Sequence, residues 1–366
     1  SILGMAAAIQ QSPVKAFTIS FDDARYDEAH IATEMAQMAG ADQDILKLKA
    51  EDLYGSNFED AIRYSERTFY NTLGVAKMLM SKHVREVGYK VVITGEGSDE
   101  LFGGYAQFKA DLFLHDPEYA ATPAAQEMRE RNALFSGSVL AEETISHPAF
   151  EEVMGFTPSW IQPWMLTLER VKPLLSEEFK AKLDDYDPIA AIAHSLDPAM
   201  LEGRHVLDKV QYSWIKTMLE GQILNWGGDR VDLANSLESR PAFLDHHVAE
   251  LAMRIPPQVR VRGGVEKWVV REAMKHVLPR VLYEREKFAF MAPPAHTDAK
   301  KTAEIDKLIA RWLSPERLAA KGLFDPAKLG AAIADYRASN DHAQNTRMDI
   351  ILNHAIGLHA VEELLA

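Results

Sequence analysis

Three acids, Glu96, Asp99 and Glu100, stand among Gly95, Gly97, Gly103 and Gly104 in the stretch KVVITGEGSDELFGGY, residues 90–105. Glycines let a backbone turn tightly and approach a ligand, while the carboxylates crowd one loop. Acids held beside phosphates require a divalent cation between them, so the composition points to a magnesium-nucleotide loop, with a purely structural turn as the alternative. A dinucleotide fingerprint is the obvious competitor. Its third glycine would fall at position 100, which is Glu100. Before the loop, Lys90 to Thr94 is a continuous apolar run, the pattern of a buried strand covered on both faces. The loop would then lie at the carboxyl end of a strand, where open α/β sheets bind ligands.

The rest of the chain has to position that loop. Residues 1–10 read as a helix ended by Pro13, Ala16 to Phe21 as a strand, 27–39 as a helix, and Ile45 to Leu48 as a strand. Such alternation predicts an α/β protein with a doubly wound parallel sheet and a large helical complement. Helices are expected over 50–65 and 71–87. In the second, Leu73, Met78, Leu79, Met80 and Val84 form a stripe of the kind that fills a core. From His115 to about 205 the texture changes to prolines and acids between short helical pieces, and Phe156, Trp160 and Trp164 need burial. That segment reads as a helical insertion or lid. The expected division is a nucleotide-binding core over 1–114, the insertion over 115–205, and a helical part over 206–366 opening with a helix over 206–226.

Composition narrows the function. The 366 residues carry a formal charge of -14, which disfavours nucleic acid and leaves any polyanionic ligand to be met by local cations or metal. There is no cysteine, which excludes disulfides and thiolate zinc sites and fits a cytoplasmic protein. The opening apolar run is short and lacks a basic flank, so neither a signal peptide nor a membrane span is expected.

Three ordered stretches carry a resemblance. TGEGSDELFGGY resembles a signature of the asparagine synthetases, in their ATP-pyrophosphatase synthetase domain. DRVDLANSLESRPAFLDHHVAELAMRIP, from Asp229, is similar to that family's DRxxMAxSVExRxPFLDxxxVExAxxLP, and KWVVREAMKHVLPRVLYEREKFAF, from Lys267, to its KxxLREAxxxxLPxxxxxRxKxGF. The resemblance is weakest between about 115 and 205, so the acceptor is the part of the function it fixes least. It implies an adenine nucleotide hydrolase-like fold and activation of a carboxylate, aspartate in the first instance, by ATP and magnesium, followed by attack of ammonia. In the family a first strand ends in an SGGxDSS loop that cradles pyrophosphate. Ser1 resembles the last serine of that loop, so the sequence reads as cut. A glutaminase domain or chain, absent here, is an expected partner; a homodimer stays open.

By the same resemblance Ile19 matches the adenine-packing position, and Thr94 and Gly95 match backbone contacts to the nucleotide. Without the family, Ile19 is plain strand core. A carboxylate attacking the α-phosphate is anion meeting anion, so magnesium at Asp99 and a lysine, Lys287, are the matched charges. Glu96 is the candidate base for the amide-forming step, working through a pKa raised by burial. Asp245 is its partner, with a helix cap as the bland alternative. Lactam-forming relatives carry tyrosine at the position of Glu96, so glutamate favours intermolecular amide formation. His246 and His247 beside Asp245 are capping or solvated rather than a metal site, Arg240 is structural, and Lys267, Arg271 and Lys275 read as a solvated helix face. Two further readings remain: a synthetase for another carboxylate or a lactam, and an inactive synthetase-like module that binds a partner.

Overall fold

The computed structural model describes residues 1–10, 12–126, 145–285 and 290–365. The chain is an α/β protein, mostly helical, with small parallel sheets. It opens with helix α1 (Ile2–Ile9), then strand β1 (Lys15–Phe21), helix α2 (Ala29–Ala39) and strand β2 (Asp42–Leu48). β1 and β2 run parallel from Lys15↔Asp42 to Phe21↔Leu48, with α2 as the crossover. α2 stops at Gly40, whose φ of 60° is the left-handed conformation that ends helices. Lys15 faces Asp42 across the first pair at 3.1 Å, and the Gln43 amide donates to Thr18 Oγ1 at 3.0 Å.

Helices α3 (Ser56–Ser65) and α4 (Leu73–Glu86) follow, then strand β3 (Val91–Thr94). β3 pairs in parallel with β4 (Glu238–Pro241), Val91 opposite Glu238 and Thr94 opposite Pro241. Among the described residues the strands thus form two separate two-stranded sheets. β3 is less covered than its apolar run predicts: Ile93 is 60% exposed and Val91 38%. In the parallel register those two share a face with Glu238 and Arg240, and the described residues leave that face open.

Two large clusters carry most of the core among the described residues. The larger joins Phe58, Phe69 and Val75 to Trp226 and to Trp312 and Leu352 of the C-terminal helices Ala299–Trp312 and His342–Leu365. Met78 lies in it, as the methionine stripe predicts. The second packs Phe108 of helix α6 (Ala106–His115) with Phe150, Phe156 and Trp160 of the insertion and with Trp214. Trp160 is 3% exposed and its indole N–H donates to Ser213 Oγ at 3.0 Å, so the described residues around it are packed against helix Val206–Trp214.

The helix expected over 206–226 departs from a plain α form. It is α-helical over Val206–Trp214 and then π-helical over Ile215–Ile223 and Asn225–Asp229. π segments are rare and recur at functional sites. Within the second π segment Gly228, with φ of -154° and ψ of -110°, kinks the spiral before it continues as a short helix over Arg230–Leu233.

Candidate active site

β3 delivers the chain to Thr94, and the acid loop turns there into the short helix α5 (Ser98–Phe102). Two glycines are dictated by close approach. Gly97 has φ of 92°, and a Cβ on it would lie 2.3 Å from a methyl carbon of Leu244; a Cβ on Gly104 would lie 2.0 Å from Asp99 Oδ1. Leu244, the residue before Asp245, therefore closes on the acid loop, and Phe243 meets Phe102 of α5 edge-on at 6.0 Å. The second sequence motif is seated against the first.

The three acids separate. Glu96 receives the Lys77 ammonium, carried on the first turns of α4, in an ion pair with both side chains partly exposed. Asp99 receives Lys267 Nζ at 2.9 Å. Glu100 turns inward: it is 2% exposed, accepts a 2.6 Å hydrogen bond from the Tyr105 hydroxyl, and burial pushes its carboxyl up against that bond. Only two of the three loop carboxylates face the site. Burial of Glu96, expected to prepare it as a base, is partial: its side chain is 32% exposed, and a fixed lysine partner is what distinguishes it.

Lys267 is held unusually. It sits at the N-cap of the helix Trp268–Met274 with φ of 51°, a left-handed backbone uncommon outside glycine and asparagine. Beside it Glu266 is buried between Lys109, at 3.3 Å, and Arg271. Arg271 also donates to the carbonyls of Tyr283 and Arg285 at 2.8 and 2.7 Å, tying down the chain that leads to residue 286. Lys275 lies 4.7 Å above the Tyr283 ring. Of the row read as a solvated face, Lys275 is exposed as expected, whereas Lys267 and Arg271 are part-buried and held by carboxylates. Periodicity could not show this, because it gives the face of a helix and not what the face meets.

Ser1 and Gly95 join the cluster. Next to Ser1, Ile2 Cδ1 lies 4.0 Å from the Cβ position of Gly95. Thr94 Oγ1 is buried with no hydrogen-bond partner. Ile19 is half-buried against the main core, as plain strand packing would have it. Asp245 is exposed and its carboxylate accepts the His247 N–H at 2.9 Å, capping the helix His246–Arg254. Arg240 is exposed and paired with Glu238 at 2.6 Å, so it braces the surface of β4 and not the core. Lys287 lies outside the described residues.

The asparagine synthase family model matches residues 1–361. The chain belongs to the asparagine synthase family. Among curated proteins of the family it is similar to amidase chyE of Penicillium rubens, 32% identical over 80% of this chain and 45% of that protein. Amidase chry2 of Gibberella zeae is 30% identical over the same shares. A glutamine-hydrolysing asparagine synthetase of Bacillus subtilis is 25% identical over 77% of this chain and 43% of that protein. The chain spans less than half the length of these relatives. Sequence reasoning missed two members of the site, Lys77 and Lys267. Lys267 opens the third family stretch, which was the available signal; Lys77 sits inside an apolar helix with no signal of its own.

Proposed function

We propose that this chain is the synthetase part of an ATP-dependent carbon–nitrogen ligase. It activates a small-molecule carboxylate as an acyl-adenylate with release of pyrophosphate, then passes the acyl group to ammonia to form an amide. The observation that carries this is the pair of loop carboxylates, Glu96 and Asp99, each held by a lysine from a different element, Lys77 and Lys267. Family membership supports the same reading.

The roles follow from position. Asp99 is the magnesium ligand; no group of three or more histidine, cysteine or acidic residues able to hold a metal occurs among the described residues. One carboxylate is compatible with magnesium, which commonly takes one or two and fills its shell with water and phosphate. When bound, the ion would offset the charge that accumulates as carboxylate attacks triphosphate. Thr94, Gly95, Ser1 and Ile19 are assigned to the nucleotide, and the unpartnered Thr94 hydroxyl at the strand end suits a ligand there. Lys287 is assigned to the pyrophosphate. Lys267 releases Asp99 as the nucleotide arrives and stays beside the phosphates as a cation. Glu96 takes the proton that attacking ammonia must lose, oriented by Lys77. Asp245 stands at the rim as its partner, already fixed by its capping bond.

The two small sheets are read as parts of one doubly wound sheet of the ATP-pyrophosphatase type, with 1–114 as nucleotide-binding core, 115–205 as lid and 206–366 as supporting helices. A glutaminase domain or chain supplies the ammonia. The setting is cytoplasmic; no described helix is long and apolar enough to cross a membrane. The test is pyrophosphate release by the full-length protein with magnesium, ATP and ammonia across a panel of carboxylic acids, with the amide product measured. Acid-dependent release with amide formation is expected. Absence of release, together with no stabilisation by magnesium-ATP, would leave a partner-binding module.

A further inference from the structure

An open cavity of about 530 Å³ is walled by the π-helical turns, with Leu244 on its lining. Leu244 is shared: it lines the cavity and also closes on Gly97, one residue from Glu96. The lining has an apolar floor, Ile215, Leu219 and Leu224 with Tyr212 and Leu244. Its charges, Lys216, Glu220, Asp229 and Arg230, cancel. Both cations are already engaged, Lys216 facing Glu220 at 3.9 Å and Arg230 facing Glu66 at 2.6 Å. The volume falls in the range of roughly 300–1,000 Å³ that holds drug-sized ligands, far more than a four-carbon acid fills. An aspartate seated here would leave most of the apolar lining bare, and a lining whose two cations are balanced by two acids offers its second carboxylate no excess positive charge.

We propose that this cavity is the acceptor pocket, and that it takes a carboxylic acid with an aromatic or branched apolar body and no second carboxylate. The inference rests on the proposed ligase reading and names its substrate class. The body lies on Ile215, Leu219 and Leu224, and the carboxyl points past Leu244 toward the loop. The activated group is the acid's only carboxylate: its oxygen displaces pyrophosphate from the α-phosphate, and the acyl carbon later passes to ammonia with AMP leaving.

The test is ATP–pyrophosphate exchange by the full-length protein with benzoate, L-phenylalanine and L-aspartate, alongside the melting shift given by magnesium-ATP alone. Exchange with benzoate or phenylalanine is expected to exceed that with aspartate by at least about tenfold in kcat/KM, the discrimination an apolar pocket can give. Leu224→Lys should remove about tenfold of the aromatic-acid exchange while Leu224→Met keeps it, and both should retain the magnesium-ATP melting shift. Preference for aspartate, exchange with none of the three acids, or a Leu224→Lys variant as active on the aromatic acids as wild type would overturn the pocket assignment. A wild-type protein that magnesium-ATP does not stabilise would instead overturn the underlying ligase reading.

Discussion

Asp111, on α6, gives the most exact prediction. Its carboxyl is fully buried; Oδ1 accepts from the Ser159 N–H at 2.8 Å and the Ser159 hydroxyl at 2.6 Å, while Oδ2 has no partner. Burial outweighs both bonds and raises the pKa from 3.8 to about 7. With the folded value above the unfolded one, the folded protein binds the extra proton between them. Asp111 therefore contributes stability that is complete below about pH 4 and is lost as pH rises through about 7. Some three units at 1.36 kcal/mol each make the loss about 4 kcal/mol. Asp111→Asn keeps the oxygen that Ser159 bonds, carries no charge at any pH, and places a donor where the protonated acid would have its own. Guanidinium unfolding followed by tryptophan fluorescence is the assay, since Trp160 and Trp214 lie in the same core as α6. Wild type and variant should be similar at pH 4, and the variant more stable by a few kcal/mol at pH 8. Parallel pH profiles would refute the buried, titrating carboxyl.

The remaining predictions concern the acid loop. Asp99→Asn should reduce the melting shift produced by magnesium-ATP, equivalent to about tenfold weaker binding, and an unchanged shift would remove Asp99 from the metal site. Gly104→Ala places a methyl 2.0 Å from Asp99 Oδ1 and should lower the melting temperature through overpacking, at about 1–3 kcal/mol, with the same loss of magnesium-ATP response. Lys77→Met should leave pyrophosphate exchange near wild type but reduce amide product by about 100-fold, the scale of a displaced general base, and Lys77→Arg should recover part of it. Equal loss of both half-reactions in Lys77→Met would contradict the positioning role.

What was legible in the sequence was local. The glycine and acid spacing of 95–104 marked the loop, the alternation of β1, α2 and β2 marked a parallel α/β unit, and Trp160 and Phe156 marked a packed segment, because each pattern is written in neighbouring residues. What was missed is tertiary. Lys77 precedes Glu96 by most of a helix and a strand, and looks like the polar residue any helix face tolerates. Glu100 stands beside Asp99 in the chain yet points away from it, since a helical turn sends adjacent side chains to different faces. The exposed face of β3 was illegible for a related reason: an apolar run shows that a strand wants cover, not whether the described chain supplies it.

On the proposed ligase reading, a chain with formal charge -14 brings a polyanionic nucleotide to a loop of acids, and net composition gives no hint of how. Positive charge is placed rather than added: Lys77, Lys267 and Arg271 come from two separate helical regions to converge on the loop and its support. Before a nucleotide binds, each lysine is matched to a carboxylate, so neither sign is stranded in a partly buried site. Both pairs are part-buried, so a phosphate oxygen that takes the carboxylate's place keeps each ammonium paired. The cations are then already in place, and little of the binding energy is spent in ordering them. The same logic assigns the stronger, buried network of Glu266, Lys109 and Arg271 to the frame: its charges are too deeply committed to change partners, and what they fix is the backbone on which Lys267 is mounted.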